Sequence, residues 1–490
     1  MKTIGVGLVI LSGFLSAAVA QTNAPTRALS LQECIAQALQ HNFDVRVERF
    51  EPLKSQLSLD AAYAGYDPTL NLSGQHAHND AYGPAGANGY GGFISSDANT
   101  FKSDVGGALP TGATYDLFGT VASDYEPHPE STSGQVGITA TQPLLKNLWI
   151  DSTRLNITAA KNQMKQSEQG LRLQLITTVT AVENAFYELI YAREDLQVRQ
   201  QALDLAQTQL DQDRQRVQFG SLAPLDVQQD EAQVAQNRAN LISAQFTLES
   251  DENTLKNLIT DNYTAWHDTD LVPAGTLEAV RQLLDVQDSW GKGMACRPEL
   301  LQAKLTLEQA GIQLKYNRNQ LFPEIDLIGS YGCNGGGVGY SDTFGQYESA
   351  NRPFYSYGAQ MSYPLSNLGA RSNYRSQKAV EQQALLKVKQ LEQNIMVDID
   401  NAVKQAQSDW ESVGATKQAR IYAEAALDAE QKKYAVGKST TFTVLQLQNN
   451  LTADRGAEIR ALANYDKDLA ALAQAEGTTL ERRKVDVTWR

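Results

Sequence analysis

Two periodicities alternate along the chain. From Tyr355 to Tyr363 the period is two: Tyr355, Tyr357, Ala359, Met361 and Tyr363 fall on one face, Ser356, Gly358, Gln360 and Ser362 on the other. Val136, Ile138 and Ala140 repeat that alternation more weakly. A run of about 9–11 such residues suits a tilted membrane strand, apolar to lipid and polar to a lumen, although a half-exposed soluble sheet carries the same pattern. Elsewhere the period is heptad. Val182, Leu189, Leu196, Leu203, Leu210 and Val217 recur every seven residues, with Ala185, Ala192 and Ala206 three positions on. Ile399, Val403, Ala406, Trp410 and Val413 step by four and three. Heptads predict helices that supercoil left-handedly against neighbours, in an ordinary coiled coil or around a wet interior.

The breakers say how long these elements are. From about Asn147 to Phe219 there is no Pro and only one Gly, Gly170. That is a helix of roughly 70 residues, about 105 Å long. A second of similar length runs from about Asn367 to Val436. An ordinary globular domain has no need of such a helix. Pro68 and Pro323 stop the incoming helices, because proline disfavours helix in the residue before it. Pro143 and Pro364 suit a change from strand to helix. Gly220 and Gly437 suit the turns that end the long helices, and Pro224 the start of the next.

The same order of signals occurs twice. Asp44 to Pro68 is 24 residues, and so is Glu299 to Pro323. Gly137 to Pro143 matches Gly358 to Pro364, six residues in both, and Val217–Gly220 matches Tyr434–Gly437. The chain reads as a duplication. Its parts are a leader over 1–20, a first repeat over 21–260, a linker over 261–294, a second repeat over 295–478 and a tail over 479–490. The first repeat is longer: Asp44 to Gly137 is 93 residues against 59 from Glu299 to Gly358, an insertion of 34. Within it, Val105–Gly112 leading into Ala113–Leu117 reads as an additional hairpin. An extracellular extension is the favoured place for it, since added barrel strands would alter the strand count.

Composition narrows the class. Lys2, an apolar run from Ile4 to Phe14 and Ala18-Val-Ala20 before Gln21 read as an export signal. The net charge of −14 becomes −15 once Lys2 leaves (−14 − 1), which argues against nucleic acid. Beyond residue 20 no apolar run is long enough for a membrane helix, but a closed barrel needs none. Cys34, Cys296 and Cys333 are too few for a disulfide framework. No nucleophile, base and orienter come together, so no enzyme, cofactor or metal is expected. Gly437-Lys-Ser-Thr440 lacks the upstream glycine of a phosphate loop, since position 432 is Lys. His76 and His78 without further ligands make a weak metal site. Gly335-Gly-Gly337 reads as an exposed loop.

At this point the chain resembles the TolC-type outer-membrane factor family over residues 29–478. The resemblance rests on Leu29-Ser-Leu-Gln-Glu33, Thr141-Gln-Pro-Leu-Leu-Lys146, the turns Arg216–Gly220 and Tyr434–Gly437, and the duplication. It implies a mixed fold, a membrane β-barrel on a long α-helical barrel, with a homotrimer giving four strands per subunit to a shared barrel of twelve. It implies a passive exit duct for efflux or type I secretion in the Gram-negative outer membrane, with a long periplasmic extension and the linker in an equatorial belt. Its partners would be outer-membrane lipid, a periplasmic adaptor and an inner-membrane pump. The adaptor would dock at the tip formed by Gly220, Ser221, Gly437 and Lys438. Gate candidates at that tip are Asp226, Asp230, Tyr434, Thr443 and Gln446; the aspartates the family often carries in the second repeat are replaced by Thr443 and Gln446. Any carboxylate constriction is then expected from Asp226 and Asp230, against the plainer reading that both solvate a helix start. The rival class is a trimeric coiled-coil surface protein or adhesin without a channel.

Overall fold

The computed structural model describes residues 26–82, 93–125, 131–220 and 222–485; the leader and parts of the insertion lie outside the described residues. In chain order the elements are β1 (Thr26–Leu29), α1 (Leu31–His41), α2 (Phe43–Glu48), α3 (Phe50–Tyr63), β2 (Thr69–Tyr82), β3 (Phe93–Ala108), β4 (Thr114–Asp124) and β5 (Ser131–Pro143). Then come α4 (Ser152–Gln218), α5 (Pro224–Ile259), α6 (Tyr263–Trp266), β6 (Asp270–Pro273), α7 (Val286–Cys296) and α8 (Pro298–Asn319). The last group is β7 (Glu324–Gly337), α9 (Tyr340–Ser349), β8 (Pro353–Ser362), α10 (Leu368–Ala435), α11 (Thr441–Glu476) and α12 (Thr479–Arg482). The described chain divides into two compact units: residues 26–42, 181–280 and 411–467, and residues 43–180, 281–410 and 468–485.

In the first unit, Ser30 and Glu33 start α1 with a capping box. The Ser30 hydroxyl accepts from the Glu33 N–H at 3.3 Å, and the Glu33 carboxylate accepts from the Ser30 N–H at 2.8 Å. The linker closes back on the chain start, as β1 and β6 pair in parallel from Thr26↔Asp270 to Leu29↔Pro273. The heptad seam is interior in part: Val182, Leu189 and Leu210 are buried with Ala185, Ala192 and Ala206, while Leu196, Leu203 and Val217 are half-buried.

The second unit holds the sheet and the helix segments that join it. Its helical core is Leu300, Val388, Ile395, Ile399, Val403 and Leu472, with Trp290 and Met294 of α7 packed against it. Gly293 permits that approach, because a Cβ there would sit 2.5 Å from Ile399 Cδ1. The Trp290 indole N–H donates to the Met396 carbonyl at 3.0 Å.

The sheet departs from expectation in its strand number. It has six strands in the order β2-β3-β4-β5-β7-β8, all neighbours antiparallel, where four were expected. The insertion supplies the extra hairpin, β3 and β4, which is paired within the sheet between β2 and β5. Its turn lies at the helix end of the sheet, beside the junction after β5. There the Trp149 N–H donates to the Thr111 carbonyl at 3.2 Å, and Gly112 (φ +88) sits so close that a Cβ would be 2.3 Å from the Asn147 carbonyl oxygen.

Register sorts the side chains onto two faces. One carries Leu70, Leu72, Phe101, Val105, Leu117, Val136, Ile138, Leu327, Tyr331, Tyr355, Tyr357 and Met361. The other carries Asn71, Ser73, Asp104, Asp116, Thr139, Gln135, Asp326, Ser330, Asn334, Ser356 and Gln360, with Phe118, Ile328 and Phe354 among them. Gly335-Gly-Gly337 is not a loop. These glycines are in β7, paired with Gly134, Ser133 and Thr132, and α9 lies across them on the apolar face. Added Cβ atoms at Gly134, Gly335 and Gly337 would meet Tyr347, Thr343 and Asp342 of α9, so the bare backbone is what lets the helix down. The three cysteines are all free, Cys34 buried.

Candidate functional site

The helix hairpins α4–α5 and α10–α11 end in matching turns within the first unit. Gly220 (φ +74) and Gly437 (φ +70) are left-handed, and the surrounding space is open, so backbone conformation alone demands glycine there. After Gly437 the Lys438 N–H donates to the Lys433 carbonyl at 2.9 Å and the Gly437 N–H to the Tyr434 carbonyl at 3.0 Å, a Schellman closure. Pro224 opens α5, while Thr440 caps α11, its hydroxyl accepting from the Thr443 N–H at 3.4 Å. Large apolar side chains flank both turns and point to solvent: Phe219 (85% exposed) and Leu225 at the first, Val436 and Phe442 at the second. Ser221 lies outside the described residues. Lys438 is exposed.

Just behind the turns the two hairpins are tied by a buried polar cluster. Asp213 of α4 is fully buried. Its Oδ2 accepts from the Tyr434 hydroxyl at 2.8 Å and from Gln209 Nε2 at 2.7 Å, with Thr441 Oγ1 at 3.5 Å. Arg216 brings Nη1 to 3.6 Å from Asp213 Oδ1 and lays its guanidinium 4.5 Å from the centre of the Tyr434 ring. Tyr434 also packs with Leu427, Val444 and Leu451. Burial, ahead of the Asp213 charge, raises the Tyr434 pKa.

Asp230 of α5 faces the same cluster and is 1% exposed. Its carboxyl is pushed up to about 7, first by burial, then by the charge of Asp213 and hydrogen bonding to it, and by the charge of Asp226. With both carboxylates ionised no proton lies between them, and both Asp230 oxygens and Asp213 Oδ1 go without a donor. A proton on Asp230 supplies one. Asp226 and Asp230, the two carboxylates expected at a constriction, differ in exposure. Asp226 is half-buried in the first turn of α5. Asp230 is covered by its own chain. Thr443 is half-buried, its hydroxyl 3.0 Å from that of Thr440. Gln446 is exposed and donates to Asn450 at 3.3 Å. Asp213 was not singled out from sequence: it is one acid among many on a polar helix, and its Tyr434 partner is 221 residues away.

At the sheet end, Pro68 and Pro323 each stand immediately before a strand, β2 and β7. Pro143 is the last residue of β5 and Pro364 follows β8. The helices begin a few residues after these prolines because Asn147 (φ 66), Trp149 (φ 56) and Asn367 (φ 42) are left-handed. His76 and His78 engage Asn99 and Asp97 across the β2–β3 ladder at 2.9 and 2.6 Å.

A duplicated chain whose two-faced antiparallel sheet joins very long helices, paired end to end by glycine turns, has the build of an outer-membrane duct. The chain belongs to the outer membrane efflux protein family, whose sequence signature covers residues 34–260 and 294–478. It is 26% identical over 361 residues to the outer membrane efflux protein BepC of Brucella suis, spanning 73% of this chain and 74% of that one. It is 25% identical over 319 residues to TolC of Escherichia coli, 62% of each chain. Among solved structures it resembles the outer-membrane channel OprN (TM-score 0.70, 17% identity, 91% of this chain and 90% of that one). It also resembles VceC of Vibrio cholerae (TM-score 0.67, 17% identity, 91% and 96%). The protein is thus an outer-membrane efflux protein, and the rival reading as a channel-free surface coiled coil has no support.

Proposed function

We propose that this chain is one subunit of a homotrimeric exit duct, a passive conduit with no chemistry of its own. It would take cargo from an inner-membrane pump through a periplasmic adaptor, in a tripartite efflux or type I secretion system. One observation carries the reading: the sheet is mainly polar on one face and mainly apolar on the other, and among the described residues its edges, β2 and β8, have no further strand partner. Joining such edges between copies closes a barrel with a wet lumen and a lipid-facing exterior. The exposed Phe219, Leu225, Val436 and Phe442 around the Gly220 and Gly437 turns make a surface suited to the adaptor's apolar contacts. Gating falls to the Asp213–Tyr434–Thr441 tie between hairpins, with Asp230 beside it, Asp226 nearer the surface, and Thr443 and Gln446 on the second hairpin.

Mass photometry of the purified protein should give a trimer of the mature chain, and planar bilayers should show single-channel conductance. A monodisperse trimer that never conducts would leave a coiled-coil surface protein as the better account. A protein that is neither trimeric nor conducting rejects the duct outright.

A further inference from the structure

We infer that the insertion in the first repeat widens the membrane pore: β3 and β4 are barrel strands, and the assembled barrel has eighteen strands instead of twelve. The inference rests on the trimeric reading above, but the evidence for it lies within one chain. All eleven β3–β4 pairs, Ala98↔Asp124 to Ala108↔Thr114, and all eleven β4–β5 pairs, Thr114↔Thr141 to Asp124↔Ser131, are in unbroken register. The hairpin obeys the facing rule of its neighbours. Phe101, Val105 and Leu117 lie with Leu72, Val136 and Ile138, while Asp104 and Asp116 lie with Asn71 and Thr139. Phe118, opposite Asp104, is the exception on the polar face, and Phe101 and Val121 lie towards α9; Val105 and Leu117, paired with each other, continue the apolar face towards the helix end. Its turn is seated at the helix end by the Thr111–Trp149 bond and by Arg154 Nη1 donating to the Pro110 carbonyl at 3.4 Å.

Neighbouring strands lie about 4.8 Å apart and barrel strands tilt by about 40°, so each takes up about 6.3 Å of circumference. Six strands span about 38 Å and four only about 25 Å. Four helices lead into or out of this sheet, α3, α4, α8 and α10, and at interaxial spacings of about 8–10 Å they span about 32–40 Å. Three copies give a backbone diameter of about 36 Å, against about 24 Å for twelve strands. The sheet then imposes no narrowing on cargo that has cleared the helices.

The seam between copies continues both faces. β2 points opposite to β8, so β2 of one copy and β8 of the next are antiparallel. β2 offers Leu70 and Leu72 on the apolar side against Tyr355, Tyr357 and Met361 of β8, with Asn71 and Ser73 against Ser356 and Gln360 on the polar side. α9 rests mainly on β7 and β5, with Tyr340 against Phe101 of β3 and Tyr347 donating to the Thr120 carbonyl of β4.

The test is accessibility in reconstituted trimers lacking the native thiols (Cys34→Ala, Cys296→Ala, Cys333→Ala). Asp104→Cys and Asp116→Cys should react with a membrane-impermeant maleimide, while Val105→Cys and Leu117→Cys should react at least tenfold more slowly with it and label readily with a lipid-soluble maleimide. Equal aqueous reactivity at all four positions would overturn the proposal by placing the hairpin outside the bilayer. Electron cryo-microscopy of the unsubstituted protein guards against misfolded variants: eighteen strands are expected, and twelve in a clean trimer would sink the inference while leaving the duct intact. An assembly that is not a trimer counts against the duct reading, and the alternating label pattern then still judges β3 and β4.

Discussion

At the scale of single residues, the most consequential contact is the meeting of two carboxyls behind the helix turns. Asp230 holds its proton up to about pH 7 in the folded helices, but only to about pH 4 in an unfolded chain. Between those values the folded state binds more protons. Stability from this group is thus complete below about pH 4 and is lost as pH climbs through about 7. The groups around it set that behaviour: Asp213 and Asp226 oppose its charge, Arg216 offsets Asp213, and Tyr434 occupies the other side of Asp213. Hydrogen exchange of α4 and α5 near the turns should therefore slow as pH falls from about 8 to about 5, beyond the intrinsic pH dependence of exchange. Asp230→Asn, with a permanent amide donor, should flatten that trend and protect these helices better than the parent at about pH 8; an unchanged slope would show that Asp230 is not the titrating group. Sequence reading reached Tyr434 and Asp230 through the turn motifs but passed over Asp213. Nothing local distinguishes it from Asp204 or Asp211; only the fold brings it to Tyr434.

At the scale of elements, the long helices were legible because heptads and the absence of breakers are local properties. The seam residues Val182, Leu189, Ile399 and Val403 are all completely buried. Boundaries were less legible. The expected start near Asn147 moves to Ser152, because the left-handed Asn147 and Trp149 delay the helix and Asp151 caps it, accepting from the Thr153 and Arg154 N–H groups at 3.1 and 3.2 Å. The Gly335–Gly337 run was misread for a related reason. Three glycines signal a loop when no partner is known, and become a bed for α9 only once β5 and β7 are paired. The start of α5 is the element on which partner docking is proposed to depend. Gln228→Pro removes a backbone donor in its second turn and costs about 3 kcal/mol of helix stability. Adaptor capture by the purified trimer should fall at least tenfold while trimer yield holds; capture at the parental level would move the docking surface elsewhere.

At the scale of the whole molecule, the insertion's turn connects the sheet to the helices below it within the second unit. Gly112 is where that seat is tightest, being both left-handed and pressed against the Asn147 carbonyl. Gly112→Ala adds a Cβ with nowhere to go and should destabilise the seat by about 1–3 kcal/mol, read as a lower unfolding temperature of the assembled trimer with its secondary structure unchanged at 25 °C. An unaltered melting curve would mean that the hairpin is not held there. The family, the duplication and the helix lengths could be argued from the chain alone, since periodicity, breakers and repeated spacings are written residue by residue. Strand number could not. Alternation tells which way a side chain points but not which strand it lies beside, and the 34-residue insertion is compatible in sequence with a free hairpin or a pair of sheet strands. Pairing is decided by hydrogen bonds between segments far apart in the chain, as is the burial of Asp213 against Tyr434. Those are choices that only a folded backbone can make.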